Sequence, residues 1–332
     1  MTLFVIVMLD GFSIWFYGKD NIRKYNFMIY TLTMNPAIDM NICSKGLVPK
    51  KVNRTFNAAY SANGKGLNVS YALGHFGISS GILGFFGGFS GKFIVEEAQR
   101  MGYGVHPVWV EDTTRINVFL NDGSSEYVLA NEGSFVPEEA RAELLKVINE
   151  IGDMDYLCIS GSLPKGISPD YYEEILKACK EKGVDVILDI SSSKLSELLA
   201  YRPLLIKPND EELEQIFGYT LDTEEAVVTA LKELYDKGAR NILFTLGERG
   251  AYFYNGEKIY NAGIRKVEVL NSACAGDVAL GAFMSVWLKD RDAVEEAMKN
   301  AAAAGANAAE SQGIGTLEKV PGYREEIIVR IV

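Results

Sequence analysis

The sequence predicts an α/β fold with a mostly parallel central sheet. Two observations support it: short β-rich runs alternate with longer segments of helical period, and turn or cap residues separate them. Pro137 precedes two glutamates at one helix start, and Gly183 and Gly238 mark two helix ends. The predicted strands are 29–34, 80–86, 154–159, 184–188, 204–206 and 241–244, and the predicted helices are 65–76, 92–101, 169–181, 210–217 and 223–237.

Length, charge and composition exclude several classes of protein. The 332 residues, 48% of them hydrophobic, are enough for a sizeable core, and no repeat or low-complexity linker divides them, so residues 28–332 are predicted to form a single domain. A net charge of −11 argues against nucleic acid and membrane surfaces as partners, but leaves room for a local basic pocket that binds a phosphorylated small molecule.

Cysteine and histidine usage narrows the chemistry and the compartment. The four cysteines include no CxxC pair, which predicts a reducing, cytoplasmic location rather than a disulfide or zinc framework. Only two histidines are present, so a histidine-based metal site or triad is not expected.

The N-terminal 27 residues are predicted to be an extension with no role in the functional site. The apolar run 2–9 lacks preceding basic residues and ends at Asp10 and Gly11, so it fits neither a signal peptide nor a membrane span. Met28, by contrast, immediately precedes a clean strand pattern.

Two stretches of period two, within about 37–60 and 112–131, predict a small antiparallel β lid. Asp39 in the first stretch, and Arg115 with Asn117 in the second, project from the face opposite their aliphatic neighbours. That face either lines a polar cleft against the main sheet or is simply solvated. An edge strand of the lid could also pair with a second copy, giving a homodimer.

Polar or glycine residues repeatedly follow the predicted strands. Ligands of parallel α/β sheets bind beyond the carboxyl ends of the strands, so these residues are predicted to share one rim. Any one of them could be an ordinary turn, but together they indicate a ligand site. They are Ser160, Lys207, Asn209, Thr245, Gly247 and Gly250.

The glycine-rich segment Gly64-Lys65-Gly66 matches neither a P-loop nor a dinucleotide-binding motif. It is either a loop before an amphipathic helix or an anion site made of backbone N–H groups and the Lys65 ammonium.

The stretch 271–277 is a small-residue loop that opens an apolar helix. Backbone N–H groups in the first turn of a helix lack intrahelical partners and attract phosphate. Asp277, at this point, is therefore either a helix cap or a catalytic base.

Six motifs in order make the chain resemble the ribokinase-like PfkB family, within it the 1-phosphofructokinase and tagatose-6-phosphate kinase branch. The resemblance extends from Met28 to about Gly315 and implies a three-layer fold with a β lid. The motifs are TMNPAID at 33–39, NGKGLNV at 63–69, TRINV at 114–118, SGSLP at 160–164, KPN at 207–209 with Glu212, and AGD at 275–277.

The resemblance implies a role for each matching residue. Asp277 corresponds to the base that takes the proton from the sugar hydroxyl as its oxygen attacks the γ-phosphorus of ATP. The N–H groups of 274–277, including Cys274, Ala275 and Gly276, would form an anion hole. The other implied groups are Asp39, Gly64, Lys65, Asn68, Arg115, Asn117 and Ser160 for the sugar phosphate, with Lys65, Arg115 and Asn117 on its phosphate; Lys207, Asn209, Thr245, Gly247 and Gly250 for ATP; and Glu212 with Asn209 for Mg²⁺ through water.

Two residues depart from the family pattern. Cys274 replaces the usual glycine, which would cause strain if the backbone there required positive φ, and Asn63 replaces a common glycine or alanine. A reactive thiol at Cys274 is a further hypothesis. Because no charged catalytic group is lost, the expected activity is ATP-dependent phosphorylation of fructose 1-phosphate, with tagatose-6-phosphate kinase and an inactive sugar-phosphate-binding regulator as alternatives.

Overall fold

The computed structural model describes residues 27–270 and 274–332. Apart from Phe27, the predicted N-terminal extension lies outside the described residues, as do Asn271, Ser272 and Ala273 of the loop before the apolar helix.

The described residues form a mixed α/β domain whose strands alternate with helices. The strands are β1 (Ile29–Thr33), β2 (Ala37–Ser44), β3 (Thr55–Asn63), β4 (Ser80–Gly87), β5 (Gly104–Val110), β6 (Arg115–Asn121), β7 (Glu126–Leu129), β8 (Tyr156–Ser160), β9 (Asp185–Asp189), β10 (Leu205–Ile206), β11 (Ile242–Thr245), β12 (Ala251–Tyr254), β13 (Ile259–Ala262) and β14 (Val329–Ile331). The helices are α1 (Lys65–His75), α2 (Gly88–Arg100), α3 (Glu138–Glu150), α4 (Tyr171–Lys182), α5 (Leu195–Leu198), α6 (Asp210–Phe217), α7 (Glu224–Asp236), α8 (Ala275–Trp287), α9 (Val294–Ala309) and α10 (Val320–Glu326).

The central sheet has the strand order β14-β13-β12-β11-β10-β9-β8-β1-β4-β5. All neighbours from β11 to β5 pair in parallel, whereas β12, β13 and β14 are added at one edge by antiparallel pairing. The predicted mostly parallel sheet is thus confirmed. Its parallel strands bring their carboxyl ends to one rim.

Helices cover both faces of this sheet, which makes three layers. Alternate side chains of β1 enter opposite layers: Tyr30 and Leu32 join a cluster with α3, α4 and α7, and Ile29 joins one with α1, α8, α9 and α10. Helices α8 and α9 pack on each other and α8 on α1, so the start of α8 is fixed beside the start of α1.

A second sheet, with strand order β3-β2-β6-β7, forms the lid. Two of its pairings are antiparallel, as predicted, but β2 and β6 pair in parallel. Asp39 therefore lies level with Asn117 in the register. Three residues connect β1 to the lid, and Gly64 alone connects β3 to α1, so the lid is anchored at the rim of the main sheet.

The predicted elements are all present, with shifted ends. Helix α6 agrees at both ends, and α2 begins four residues before the predicted Lys92 because Gly88 and Phe89 continue the helix. Strands β5, β12, β13 and β14 and helices α5, α9 and α10 were not predicted. In the part of the chain that is described, no helix is long and apolar enough to cross a membrane.

Candidate active site

The carboxyl ends of four neighbouring strands and the starts of two helices meet at one rim. Ser160 ends β8, Asp189 ends β9, Lys207 follows β10 and Thr245 ends β11. Asn209 and Thr245 form a β-bridge, and the Thr245 N–H donates to the Pro208 carbonyl at 3.1 Å. Ser160, Lys207, Asn209 and Thr245 therefore lie at one rim of the sheet.

Two glycines allow α1 to begin directly against the end of β1. Gly64 has φ 147°, and a Cβ there would lie 2.6 Å from Thr33 Cγ2. A Cβ on Gly66 would overlap the Thr33 hydroxyl, which instead accepts a hydrogen bond from the Leu67 N–H at 3.0 Å. The glycines thus have a packing role, and they bring Lys65, the first residue of α1, to the rim.

The first turn of α8 places backbone N–H groups, which have no intrahelical partners, beside a lysine. Cys274 is the N-cap, with φ −96° and ψ −7°, so its backbone is ordinary and the strain considered for a residue with Cβ is absent. The Lys207 ammonium lies 3.5 Å from where a Cβ on Gly276 would be. Helix-terminal N–H groups and this ammonium together suit an anion.

Four charged side chains cluster under that turn, of which Asp189, Lys207 and Asp277 are buried and Lys65 is partly exposed. Asp189 is fully buried, and its Oδ1 lies 2.9 Å from Lys207 Nζ and 3.9 Å from Lys65 Nζ. Asp277 is 3% exposed and accepts a hydrogen bond from Asn68 Nδ2 at 2.9 Å. Asp189 was not among the predicted site residues, although it directly follows the predicted strand 184–188, which is the signal that identified its neighbours.

The cluster shifts the pKa values of its two carboxyl groups in opposite directions. Burial, followed by the charge of Asp189, raises the pKa of Asp277 to about 7, although Lys65, Asn68 and Lys207 oppose the rise. Burial acts in the same direction on Asp189, but Lys207 and Lys65 outweigh it and hold the pKa of Asp189 below its ordinary value. A carboxyl group with a pKa near neutrality is suited to general base catalysis.

We predict that Asp189→Asn moves the acid limb of the pH profile to lower pH. A base must be ionised to act, so activity should rise with pH through the pKa of Asp277, about 7 in the unliganded protein. Removing the charge of Asp189 removes one cause of that raised pKa, whereas Lys65 and Lys207 continue to lower it. The pH dependence of kcat/KM measures the shift.

Asp185→Asn is the matched control, because Asp185 begins the same strand and pairs with Arg240 at the rim opposite the site. An acid limb that stays in place in Asp189→Asn, or that moves equally in Asp185→Asn, would contradict the assignment.

The lid contributes a second polar group. Asn117 Nδ2 donates to Asp39 Oδ1 at 2.9 Å, and Arg115 donates to the carbonyls of Asn35 at 2.9 Å and Asn131 at 3.0 Å. Burial raises the pKa of Asp39, against the effects of Asn117 and Arg115. The structure therefore brings these three predicted residues together, in a grouping separate from Lys65, whose charged neighbours are Asp189, Asp277 and Glu212.

The predicted nucleotide residues lie along the neighbouring part of the rim. Gly247 and Gly250 have φ 54° and 88°, and the Gly250 carbonyl accepts from the Leu246 N–H at 2.9 Å. Ser160 is also at the rim, but it is buried and its Oγ contacts Cys158 Sγ at 3.4 Å. A direct contact of Ser160 with substrate stays a prediction.

The residues predicted to organise magnesium form a helix capping box. Asn209 Oδ1 accepts from the Glu212 N–H at 2.8 Å, and Glu212 Oε2 accepts from the Asn209 N–H at 3.1 Å. Glu212 Oε1 accepts from Ser191 Oγ at 2.5 Å. No group of three metal-ligating side chains occurs among the described residues. A carboxylate has further lone pairs, so the pair fits a hydrated cation but not a closed set of protein ligands.

Comparison with known proteins identifies the family of this chain. The model of the pfkB family of carbohydrate kinases matches residues 26–320. This chain belongs to the pfkB family.

Relatives and solved structures agree with that membership. The chain is 45% identical to D-tagatose-1-phosphate kinase of Klebsiella oxytoca, over 91% of this chain and 99% of the relative. It is 32% identical to 1-phosphofructokinase of Bacillus subtilis, with the same coverage. Phosphofructokinase-2 from Escherichia coli in complex with fructose-6-phosphate superposes with a TM-score of 0.81, at 27% identity over 90% of this chain and 99% of that one.

Family membership makes this chain a carbohydrate kinase, a phosphotransferase that acts on a sugar hydroxyl. The predicted ribokinase-like PfkB resemblance, fold class and enzyme class are confirmed. Kinases of the pfkB family use ATP, in agreement with the predicted cofactor.

Proposed function

We propose that this chain catalyses ATP-dependent phosphorylation of a ketohexose 1-phosphate at its 6-hydroxyl. The observation that carries the proposal is the buried Asp277, with a pKa near neutrality, beside the N–H groups that begin α8. Relatives named for D-tagatose 1-phosphate and for 1-phosphofructokinase both indicate a 1-phosphorylated ketohexose. The sequence motifs favoured fructose 1-phosphate; D-tagatose 1-phosphate joins it as a candidate because the relative at 45% identity is named for that sugar phosphate.

In the proposed mechanism, Asp277 accepts the proton of the sugar hydroxyl while that oxygen attacks the γ-phosphorus of ATP, whose bond to the β–γ bridging oxygen breaks and releases ADP. The N–H groups of 274–277 and the ammonium of Lys207 offset the charge of the transferred phosphoryl group. Lys65 shares this role. Its ammonium lies near Asp189, Asp277 and Glu212, so we assign it to the transferred phosphoryl group and not to the phosphate that the substrate already carries.

Asp39 and Asn117 would hold sugar hydroxyls, and Arg115 the existing phosphate. The Asp39 carboxylate is oriented by Asn117, which suits it to accept hydroxyl hydrogen bonds. The guanidinium of Arg115 is fixed by two backbone carbonyls and lies beside the same pair.

The nucleotide would lie along the rim from Lys207 and Asn209 to Thr245, Gly247 and Gly250. Glu212 and Asn209 would hold Mg²⁺ through water, and Mg²⁺ would supply charge neutralisation among the ATP phosphates. The capping box fixes both side chains at the start of α6.

A substrate panel tests the proposal. We expect coupled ADP release with D-tagatose 1-phosphate and fructose 1-phosphate, and far lower kcat/KM with tagatose 6-phosphate, fructose 6-phosphate and free ribose. The two favoured substrates differ only at C4, so the ratio of their kcat/KM values identifies the preferred epimer. Saturable binding of ketohexose 1-phosphates without turnover of any sugar would instead indicate an inactive regulator.

We further propose that a second copy of the chain covers the outer face of the lid. Along β3 and β7 the lid exposes large apolar side chains, including Phe56 at 44%, Tyr60 at 56% and Leu129 at 61% exposure. Sedimentation velocity of the wild type and of Phe56→Asp tests this: a monomeric wild type at micromolar concentration would contradict it.

A further inference from the structure

Four side chains from distant parts of the sequence, including the proposed base Asp277, form one hydrogen-bonded chain. Asn63 Nδ2 donates to Cys274 Sγ at 3.7 Å, across 211 positions of sequence. Asn68 Nδ2 donates to Asn63 Oδ1 at 3.1 Å and to Asp277 Oδ2 at 2.9 Å, and it lies 3.5 Å from Cys274 Sγ. Asn68, Cys274 and Asp277 are each at most 4% exposed.

A backbone group sets the direction of this chain. The Gly64 N–H can only donate, and it donates to Asn63 Oδ1, so the Asn63 amide must present its oxygen there and its nitrogen towards Cys274. Asn63 Oδ1 then requires a donor from Asn68, and the second hydrogen of the same Asn68 amide is left for Asp277. A flipped Asn68 amide would place its oxygen against two acceptor oxygens.

Cys274 serves in this chain as a neutral, buried acceptor. Burial, and then the charge of Asp277, raises the pKa of the Cys274 thiol to about 12, so the thiol stays protonated near neutral pH. This argues against the reactive-thiol hypothesis. The ordinary backbone of Cys274 means that its side chain adds a contact without strain.

We propose that Asn63 and Cys274 are a positioning pair for the base: together they hold the Asn68 amide so that it donates to Asp277 Oδ2 and leaves Oδ1 for the sugar proton. The proposal rests on the assignment of Asp277 as the base in the proposed kinase reaction. Asn63 and Cys274 are the two residues that depart from the family pattern, and the proposal gives them one shared function. Each contacts both the other and Asn68.

The expected effect falls on turnover and not on substrate binding. Misplacing a reacting group by about 1 Å can cost on the order of 10²-fold in rate. Asn63→Ala and Cys274→Ala leave Asn68 in place but loosen it, so we expect each to lower kcat about tenfold, with KM for the sugar phosphate within about twofold of wild type. Cys274→Ser keeps an acceptor and should recover most of the lost kcat.

The decisive measurement is a set of double variants built on Asn68→Ala. If the pair acts through Asn68, adding Asn63→Ala or Cys274→Ala to Asn68→Ala should change kcat no further. Further losses that multiply, or a raised KM with unchanged kcat, would overturn the proposal and assign the two residues to packing or to the walls of the sugar pocket.

A second readout is independent of turnover and of folding failures. In ¹⁵N-labelled, unliganded protein, the side-chain amide protons of Asn68, assigned by their loss in Asn68→Ala, should exchange slowly with solvent in wild type and Cys274→Ser, and faster in Cys274→Ala. Unchanged exchange of these protons in a Cys274→Ala variant of native melting temperature would overturn the pair. A wild type that phosphorylates no sugar would instead overturn the proposed function alone.

Discussion

Replacement of Asp277 by asparagine should lower kcat by about 10²-fold or more, while the protein still binds ketohexose 1-phosphate and ATP. Asparagine keeps the shape and can still be held beside Asn68, but it cannot accept the hydroxyl proton. Steady-state kinetics with D-tagatose 1-phosphate measure the loss of kcat, and calorimetric titration with the sugar phosphate measures the retained binding. Turnover near that of the wild type would end the assignment of Asp277 as the base.

Thermal stability provides the folding control for the same variant. The pKa of Asp277 is raised to about 7 from an ordinary 3.8, so folding disfavours the ionised carboxylate. That cost is absent below about pH 3.8, grows as the pH rises towards 7 and is complete above it. Asp277→Asn should therefore melt at a higher temperature than the wild type at pH 8, with a smaller difference at pH 5. A lower melting temperature at pH 8 would indicate that loss of activity reflects misfolding.

Lys65→Met and Arg115→Ala should damage different kinetic constants, although each removes one positive charge. Lys65 contacts the buried Asp189 and faces Asp277, so we expect its loss to lower kcat by about 10²-fold, as for loss of a transition-state donor. Arg115 lies with Asp39 and Asn117 in the lid, so its loss should raise KM for the sugar phosphate about tenfold or more with a smaller effect on kcat.

Each variant is the charge-matched control of the other. An equal rise in KM in both would return Lys65 to the substrate's existing phosphate, the role implied by the family resemblance. An equal effect of Arg115→Ala on a free ketohexose would show that Arg115 does not recognise the phosphate.

Local sequence patterns predicted the elements whose boundaries are set by local chemistry. Helix α6 has the predicted ends because Asn209 and Glu212 cap its start and Gly218, at φ 71°, ends it. Strands β12, β13 and β14 were not predicted, and their antiparallel pairing depends on tertiary neighbours that no local pattern specifies. The parallel pairing of β2 with β6 joins segments about 78 residues apart, as Asp39 and Asn117 show, so no local signal specifies it.

The site was predictable as a set of residues, but not as a set of contacts. The ordered motifs identified most of the residues that the structure brings to the rim. They did not reveal that Lys65 and Arg115 have different charged partners, because chain order carries no information on which lysine or arginine faces which carboxylate. Nor did they reveal that Asn63 meets Cys274, since each was considered only as a departure at its own position.

The lid is joined to α1 through a single residue, Gly64, and this connection links substrate capture to base orientation. Asn63 is the last residue of β3 and hence part of the lid, yet its amide contacts Cys274 and Asn68 beside Asp277. A rigid-body tilt of the lid that brings Asp39 and Arg115 onto a sugar phosphate would therefore pull on the same amide. Asp277 is therefore oriented through the lid as well as through its own helix.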